Sequence, residues 1–286
     1  MSEGTLANAF EPEPTEPVAP TGPAEPPVPA EPVVRLPGRV LVSSFGRLFL
    51  LQALWNYERM QGIGFCYAIA PAVRALSKDD ASAARALVPH AGFFNTHPVM
   101  ASVAVGVVTE QLERRARGEQ ALDDAGLLRI KQALGSSLAA MGDPLFWNAV
   151  RPLVALSAIY AWRDDRAAVG TIVFLFGYNL IAIGYRIRGL TEGYRRGLAY
   201  VAHLGTRLAR LTSAIRMLGV VLAALVVSTV LIPPGDAPPR QVLAGAIGLV
   251  LGALAFGVAR LGPAEWGLGL VLAVLAWVTV GPGFNG

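Results

Sequence analysis

The sequence predicts an all-α integral membrane protein with amphipathic helices, Pro/Gly-broken re-entrant hairpins and several transmembrane helices. Of its 286 residues, 53% are hydrophobic and only 15% are charged, against about 25% charged in an average soluble protein. Long apolar runs fill the second half of the chain, and the mean hydropathy is +0.49. This composition excludes a disordered chain, a nucleic-acid binder and an ordinary cytosolic enzyme.

Residues 1–37 form a Pro/Glu-rich tail that we predict to be disordered. The tail holds ten of the 21 prolines, and its six glutamates against one arginine give it a net charge of −5. Such a segment favours polyproline II and cannot bury a core. A solvated spacer is the favoured interpretation and a docking arm is the alternative. The membrane domain is then 38–286, with a motif-bearing core at 40–200.

The sequence of the first part of that domain predicts amphipathic and other helical segments, separated by breaks in the helices. Apolar residues at helical spacing predict a helix within 38–62, with Ser43 and Ser44 as a cap. Further helices are predicted within 77–90, 99–117 and 127–141. Prolines interrupt apolar sequence at three places, and backbone broken in this way is tolerated at membrane depth only when it is buried in protein or lines a wet cavity. The three breaks are at Pro71, Pro98 and Pro144.

Four long apolar runs predict the transmembrane region. They lie at 167–183, 217–232, 242–259 and 266–280, each slightly shorter than the roughly 20 residues of a straight span. The stretch 217–259 is predicted to be a transmembrane hairpin within a C-terminal region 217–280. Seven arginines and one glutamate separate the first two runs, so we predict that this connection is a cytoplasmic loop.

A first polar cluster interrupts apolar sequence at 52–61. On a helix, Gln52, Asn56 and Arg59 share one face, and Glu58 and Gln61 share a neighbouring one. Carboxylates and carboxamides beside an aromatic ring such as Trp55 suit a sugar, whose hydroxyls need donors and acceptors. A helix–helix contact explains the same pattern equally well.

Two further clusters follow along the chain. Asn95, Thr96 and His97 precede Pro98 and predict either a sugar-binding turn or the cap of a helix that starts at Pro98. Asp143 precedes Pro144, with Trp147 one turn on, and the pattern favours a helix stop followed by a new cap. A metal site is not expected, because the three histidines lack a neighbouring carboxylate cluster. No nucleophile or phosphate-loop motif indicates an autonomous enzyme.

Three ordered motifs resemble the IID components of the mannose/fructose/sorbose phosphotransferase family. The first is residues 51–71, LQALWNYERMQGIGFCYAIAP, the second is residues 93–98, FFNTHP, and the third is residues 142–147, GDPLFW, with Arg151 and Pro152. The resemblance covers roughly residues 40–200. Glu58, Gln61, Asn95, His97 and Asp143 are our candidate substrate-binding residues, and Trp55 and Trp147 are candidate stacking surfaces.

The resemblance implies a multi-pass subunit of the bacterial inner membrane that acts only with a IIC subunit. The pair passes a hexose, and separate IIA and IIB subunits carry the phosphoryl group, so the chain itself is expected to be non-catalytic and without a cofactor. It also implies a trimer of IIC–IID heterodimers in membrane lipid, and re-entrant hairpins at the broken segments.

The chain departs from the family pattern in three places. Residues 135–140, GSSLAA, replace a Gly-Pro-rich stretch, Pro89 replaces a basic residue, and the tail is an addition. A degenerate homologue that acts as a regulatory or scaffold subunit without transport is therefore the alternative function.

Overall fold

The computed structural model describes residues 35–119, 122–162 and 167–231, and all the regular elements in these ranges are helical. Residues 1–34 of the tail, the apolar runs 242–259 and 266–280, and most of the predicted 217–259 hairpin lie outside the described residues. The α-helices are α1 (Gly38–Leu48), α2 (Gly62–Leu76), α3 (Asp80–Leu87), α4 (Ala101–Ala116), α5 (Asp124–Leu145), α6 (Arg151–Ala161), α7 (Ala167–Arg196) and α8 (Leu198–Leu231). A 3₁₀ turn (Val88–Ala91) follows α3, and a π-helical turn (Phe146–Val150) joins α5 to α6.

Helix α4 is the centre of the fold. The predicted helix at 99–117 is confirmed, since α4 occupies Ala101–Ala116. Every residue from 101 to 109 is buried, so protein surrounds the first half of this helix on all sides. It packs most extensively against α7, where small residues let the two backbones meet. A Cβ on Gly193 would lie 2.7 Å from the main-chain oxygen of Val103, and one on Gly106 would lie 2.5 Å from that of Leu190. This close packing of small residues is typical of helix pairs in membranes.

Helix α1 is shorter than predicted, and its buried face is different. It ends at Leu48, and Val40, Ser44 and Leu48 face the protein. The predicted Ser43–Ser44 cap is wrong, because both serines lie inside the helix and Pro37 occupies the N-cap position. The helix packs on α2 rather than standing alone, since Val40 joins a small apolar cluster with Ala72.

Two of the three predicted proline breaks are absent. Pro71 lies inside α2 and Pro144 lies inside α5. The helix stop predicted at residues 142–144 is therefore wrong. The chain continues through the π-helical turn into α6, whose first turn contains Pro152. In the π-helical turn the hydrogen-bond register shifts by one residue, so the amide of Arg151 donates to the oxygen of Phe146, five residues earlier.

Helix α7 extends the apolar run at 167–183 to 30 residues. Ala168–Arg196 is the candidate membrane span among the described residues, by length and composition, and only 11% of its most apolar window is buried in protein. An apolar helix face of this size needs lipid or a partner to cover it.

The arginine-rich connection predicted as a loop is helical. It forms the end of α7 and the start of α8, which meet at Gly197, where φ is +55°. A left-handed conformation of this kind is ordinary for glycine at a helix C-terminus.

Candidate functional site

Residues 52–61 of the first motif form a tight turn ahead of α2, so the helical faces predicted for them are wrong. Asn56 and Met60 pair as an isolated bridge, and Met60 adopts a positive φ of 51°. The same turn binds the second motif, because the amide of Phe94 donates to the oxygen of Arg59 at 3.3 Å and the amide of Gln61 donates to the oxygen of Phe94 at 2.8 Å. Sequence periodicity could not show this pairing, since it joins segments 34 residues apart.

Gln61 completes the connection with its side chain. Its Nε2 donates to the main-chain oxygen of Thr96 at 2.8 Å, and the amide of Thr96 donates to its Oε1 at 3.1 Å. Gln61 and Thr96 are both buried. The side chain predicted to bind substrate therefore acts as a clamp between the first and second motifs.

His97 is packed in an aromatic cage. It is 1% exposed, its ring stacks on Phe146 with centroids 4.7 Å apart, and Trp147 meets it edge-on at 5.0 Å. Its Nδ1 accepts from the amide of Val99 at 3.3 Å, which places the ring proton on Nε2. That Nε2 is buried and has no hydrogen-bond partner in the described part of the chain.

The caps predicted for the second motif are absent. Helix α4 starts at Ala101, and its N-cap residue, Met100, makes no side-chain hydrogen bond. Asn95 is exposed and Thr96 is held by Gln61, so neither caps α4. The segment is positioned by glycines of α5, since a Cβ on Gly135 would lie 2.9 Å from the oxygen of Asn95.

The remaining candidate residues are exposed around this core. Glu58 is exposed and lies 3.7 Å from the Arg59 guanidinium, and Trp55 stands against Tyr57 with ring centroids 4.8 Å apart. Asp143 is exposed inside α5, so it is neither a cap nor a buried ligand. Trp147 is half-exposed, and the guanidinium of Arg151 lies over its ring at 5.3 Å.

Lys131 is a supporting residue that the sequence analysis missed. It is 1% exposed, and its ammonium donates to the oxygens of His90 and Gly92 at 2.8 and 3.0 Å. Burial, opposed by the nearby Cys66 thiol, lowers the pKa of Lys131 to about 8. Burial and then the Lys131 charge lower the pKa of His90 to about 4. The sequence signal for Lys131 is a single lysine among the apolar positions of α5. A charged side chain is almost never fully buried without a partner, so such a lysine indicates a specific contact.

The candidate site is thus an open platform rather than a closed pocket. Gln61 and His97 are buried beneath the platform, and its exposed side chains are Glu58, Asn95, Asp143, Trp55 and Trp147. Two cavities lie elsewhere in the described part of the chain, one between α7 and α8 and the other beside α3. Within the described ranges, no three His, Cys, Asp or Glu side chains are grouped closely enough to hold a metal ion.

A protein-family model described as the PTS system mannose/fructose/sorbose family IID component matches residues 35–234. The mannose-specific EIID component of Escherichia coli K12 is 38% identical over 186 residues, which is 64% of this chain and 65% of that protein. The match therefore spans slightly less than two thirds of that relative. The fructose permease IID component of Bacillus subtilis is 34% identical over 67% of this chain and 70% of its own length.

Two solved structures have the same fold. One, titled as the structure of a membrane protein, has a TM-score of 0.64 and 27% identity, and the match covers 87% of this chain and 98% of that one. The other is a chain from the cryo-EM structure of the mannose transporter ManYZ in complex with microcin E492, with a TM-score of 0.53, 28% identity, and coverage of 86% and 98%. With the family model matching most of its length, the chain belongs to the IID components of the mannose/fructose/sorbose phosphotransferase systems.

Proposed function

We propose that this chain is the IID half of a sugar-translocating permease that works with a IIC subunit in the bacterial inner membrane. Together the two subunits form a multi-pass complex that carries a hexose of the mannose type across this membrane. Separate IIA and IIB subunits phosphorylate the sugar at the cytoplasmic face. The complex is a trimer of IIC–IID heterodimers, and the chain contributes binding and conformation but no catalytic group.

The open platform is the observation that carries this proposal. Glu58 and Asn95 are both exposed, and main-chain hydrogen bonds join the turn that carries Glu58 to the second motif, which carries Asn95. Polar side chains beside exposed aromatic rings match the surface of a pyranose, whose hydroxyls need hydrogen-bond partners and whose apolar face stacks on rings. An open half-site of this kind requires a second protein surface to enclose a sugar.

Nothing in the platform favours the alternative of a degenerate scaffold. The altered stretch at residues 135–140 lies within an unbroken α5, and its Gly135 still admits the main chain of Asn95. Pro89, the second departure, sits in the first turn of the 3₁₀ segment, where proline is well tolerated. The pairing of the first and second motifs is therefore kept despite both departures.

Sugar uptake in cells that lack the chain tests the proposal. Restoring the full chain together with its IIC partner should restore phosphoenolpyruvate-dependent uptake of a hexose, whereas the IIC partner alone should not. Asn95→Ala and Glu58→Ala should each abolish uptake but leave the membrane complex assembled. Asp80→Ala, an exposed acidic change on α3, is the matched control and should leave uptake unchanged. Normal uptake in both platform variants would overturn the site, and equal uptake without the chain would overturn the function.

A further inference from the structure

A cavity of about 650 Å³ lies between α7 and α8 next to their junction at Gly197. One part of its wall is apolar, formed by Leu180, Ile181, Leu204 and Leu208. Another part holds Tyr185 and Tyr200. None of these residues belongs to the platform, so the cavity is a separate feature of the fold.

The remaining wall is strongly basic. Arg188, Arg196 and Arg207 line it together with His203. The Nε of Arg196 lies 2.9 Å from an oxygen of Glu192, which offsets its charge. Arg188 and Arg207 are exposed and have no ion-pair partner within the residues that the structure describes. Two guanidinium groups thus face the cavity with their charge uncompensated, and guanidinium groups bind phosphate well through paired hydrogen bonds.

The length of α7 indicates the depth at which the cavity would lie in a bilayer. Twenty residues separate Ala168 from Arg188 on α7, and at 1.5 Å each they cover about 30 Å, which equals the hydrocarbon thickness of a bilayer. In a bilayer that α7 spans from Ala168, we expect Arg188 to lie where the lipid headgroups begin. Leu180 and Ile181 lie about two turns deeper, among the acyl chains.

We propose that this cavity binds an anionic glycerophospholipid, with its phosphate between Arg188 and Arg207. One acyl chain lies along the leucine wall. Basic cavities between membrane helices on the cytoplasmic side are known to select such headgroups. An acidic protein segment matches the arginines but not the apolar wall that continues toward the bilayer centre. The inference rests on membrane insertion of α7 and not on sugar transport, so either can fail alone.

Native mass spectrometry of the full chain tests the proposal, with the chain purified in mild detergent alone and with any membrane partner that stays bound. Phosphatidylglycerol and phosphatidylcholine with identical acyl chains are titrated in parallel. Each arginine near a headgroup contributes about fivefold to affinity, so phosphatidylglycerol should bind at least about tenfold more tightly. The double variant Arg188→Gln/Arg207→Gln should remove this preference. Arg210→Gln, an exposed change on α8 outside the cavity, should keep it.

Several outcomes would overturn the proposal. Equal binding of the two lipids is one, and an equal loss in the Arg210→Gln control is another. Glycerol phosphate that displaces the lipid completely would show a free-phosphate site instead. A preference seen in the isolated chain but absent in the assembled complex would show that a protein covers the cavity. If the double variant misfolds, the single variants decide, since each should lose about fivefold.

Discussion

Gln61 is the residue whose removal tests the architecture of the platform most sharply. Its side chain makes two buried hydrogen bonds to the main chain of Thr96, at 2.8 and 3.1 Å. Gln61→Ala leaves that amide and that carbonyl unpaired in a site where Gln61 is 3% exposed and Thr96 is 4% exposed. Each unpaired buried group costs about 1–3 kcal/mol, so the variant should lose about 2–5 kcal/mol of folding stability.

The thermal unfolding of the purified full chain in detergent measures this loss, with tryptophan fluorescence as the signal. For a chain of this size, about 2–5 kcal/mol corresponds to a melting temperature lowered by about 5–15 °C. Gln52→Ala is the matched control, because Gln52 is exposed near the same turn. It should change stability by less than about 0.5 kcal/mol. If Gln61→Ala and Gln52→Ala have the same melting temperature, the Gln61 side chain does not clamp the two motifs together.

Three further predictions concern the supports of the platform. Because the folded-state pKa of His90 is about 4 against an ordinary 6.5, its neutral form stabilises the fold above pH 6.5 and this stability is lost as pH falls toward 4. His90→Gln should reduce that acid sensitivity by about 3 kcal/mol in denaturation curves, and an unchanged acid sensitivity would contradict this role of His90. Lys131→Met leaves two main-chain oxygens unpaired and should cost about 2–5 kcal/mol by chemical denaturation; an unchanged midpoint would contradict its role. Gly142→Val places a Cβ 2.6 Å from side-chain atoms of His97 and Met100 and should cost about 1–3 kcal/mol in melting experiments. Gly46→Val, on an open face of α1, should cost nothing, because valine is a better helix former than glycine.

Periodicity predicted best the helices whose contiguous apolar residues are buried in the structure. Residues 99–117 predicted a helix, and α4 occupies Ala101–Ala116. The turn that was one of the two predictions for residues 95–98 also appears, as irregular backbone between the 3₁₀ turn and α4. In both places the local preference and the tertiary packing agree, which is the condition under which sequence reasoning succeeds.

The stop predicted at residues 142–144 failed because packing outweighed the local signal. Leu138, Leu145 and Phe146 are all fully buried, and ending the helix at Asp143 would remove the last two from the core. Their burial stabilises the chain by several kcal/mol at about 1.5–3 kcal/mol each, which is comparable with the roughly 3 kcal/mol cost of a proline inside a helix. Such a balance cannot be seen from the Gly-Asp-Pro pattern.

The sequence analysis named residues of the three motifs but did not predict that the motifs meet. In the structure Gln61 binds Thr96, and His97 stacks against Phe146 and Trp147. Polar side chains in a motif predict a ligand or a structural contact equally well, and only the partner atoms distinguish the two. Those partners lie far away in the sequence, 35 residues for Gln61 and Thr96, so no local residue pattern identifies them.

The stoichiometry of the complex purified from native membranes tests the central claim most directly. The full chain, tagged and extracted in mild detergent, should copurify with a IIC-type subunit in a one-to-one ratio. That complex should bind a hexose, and Asn95→Ala should abolish sugar binding without changing the ratio. A chain recovered without a IIC-type subunit, or a complex whose hexose binding is unchanged by Asn95→Ala, would contradict the account.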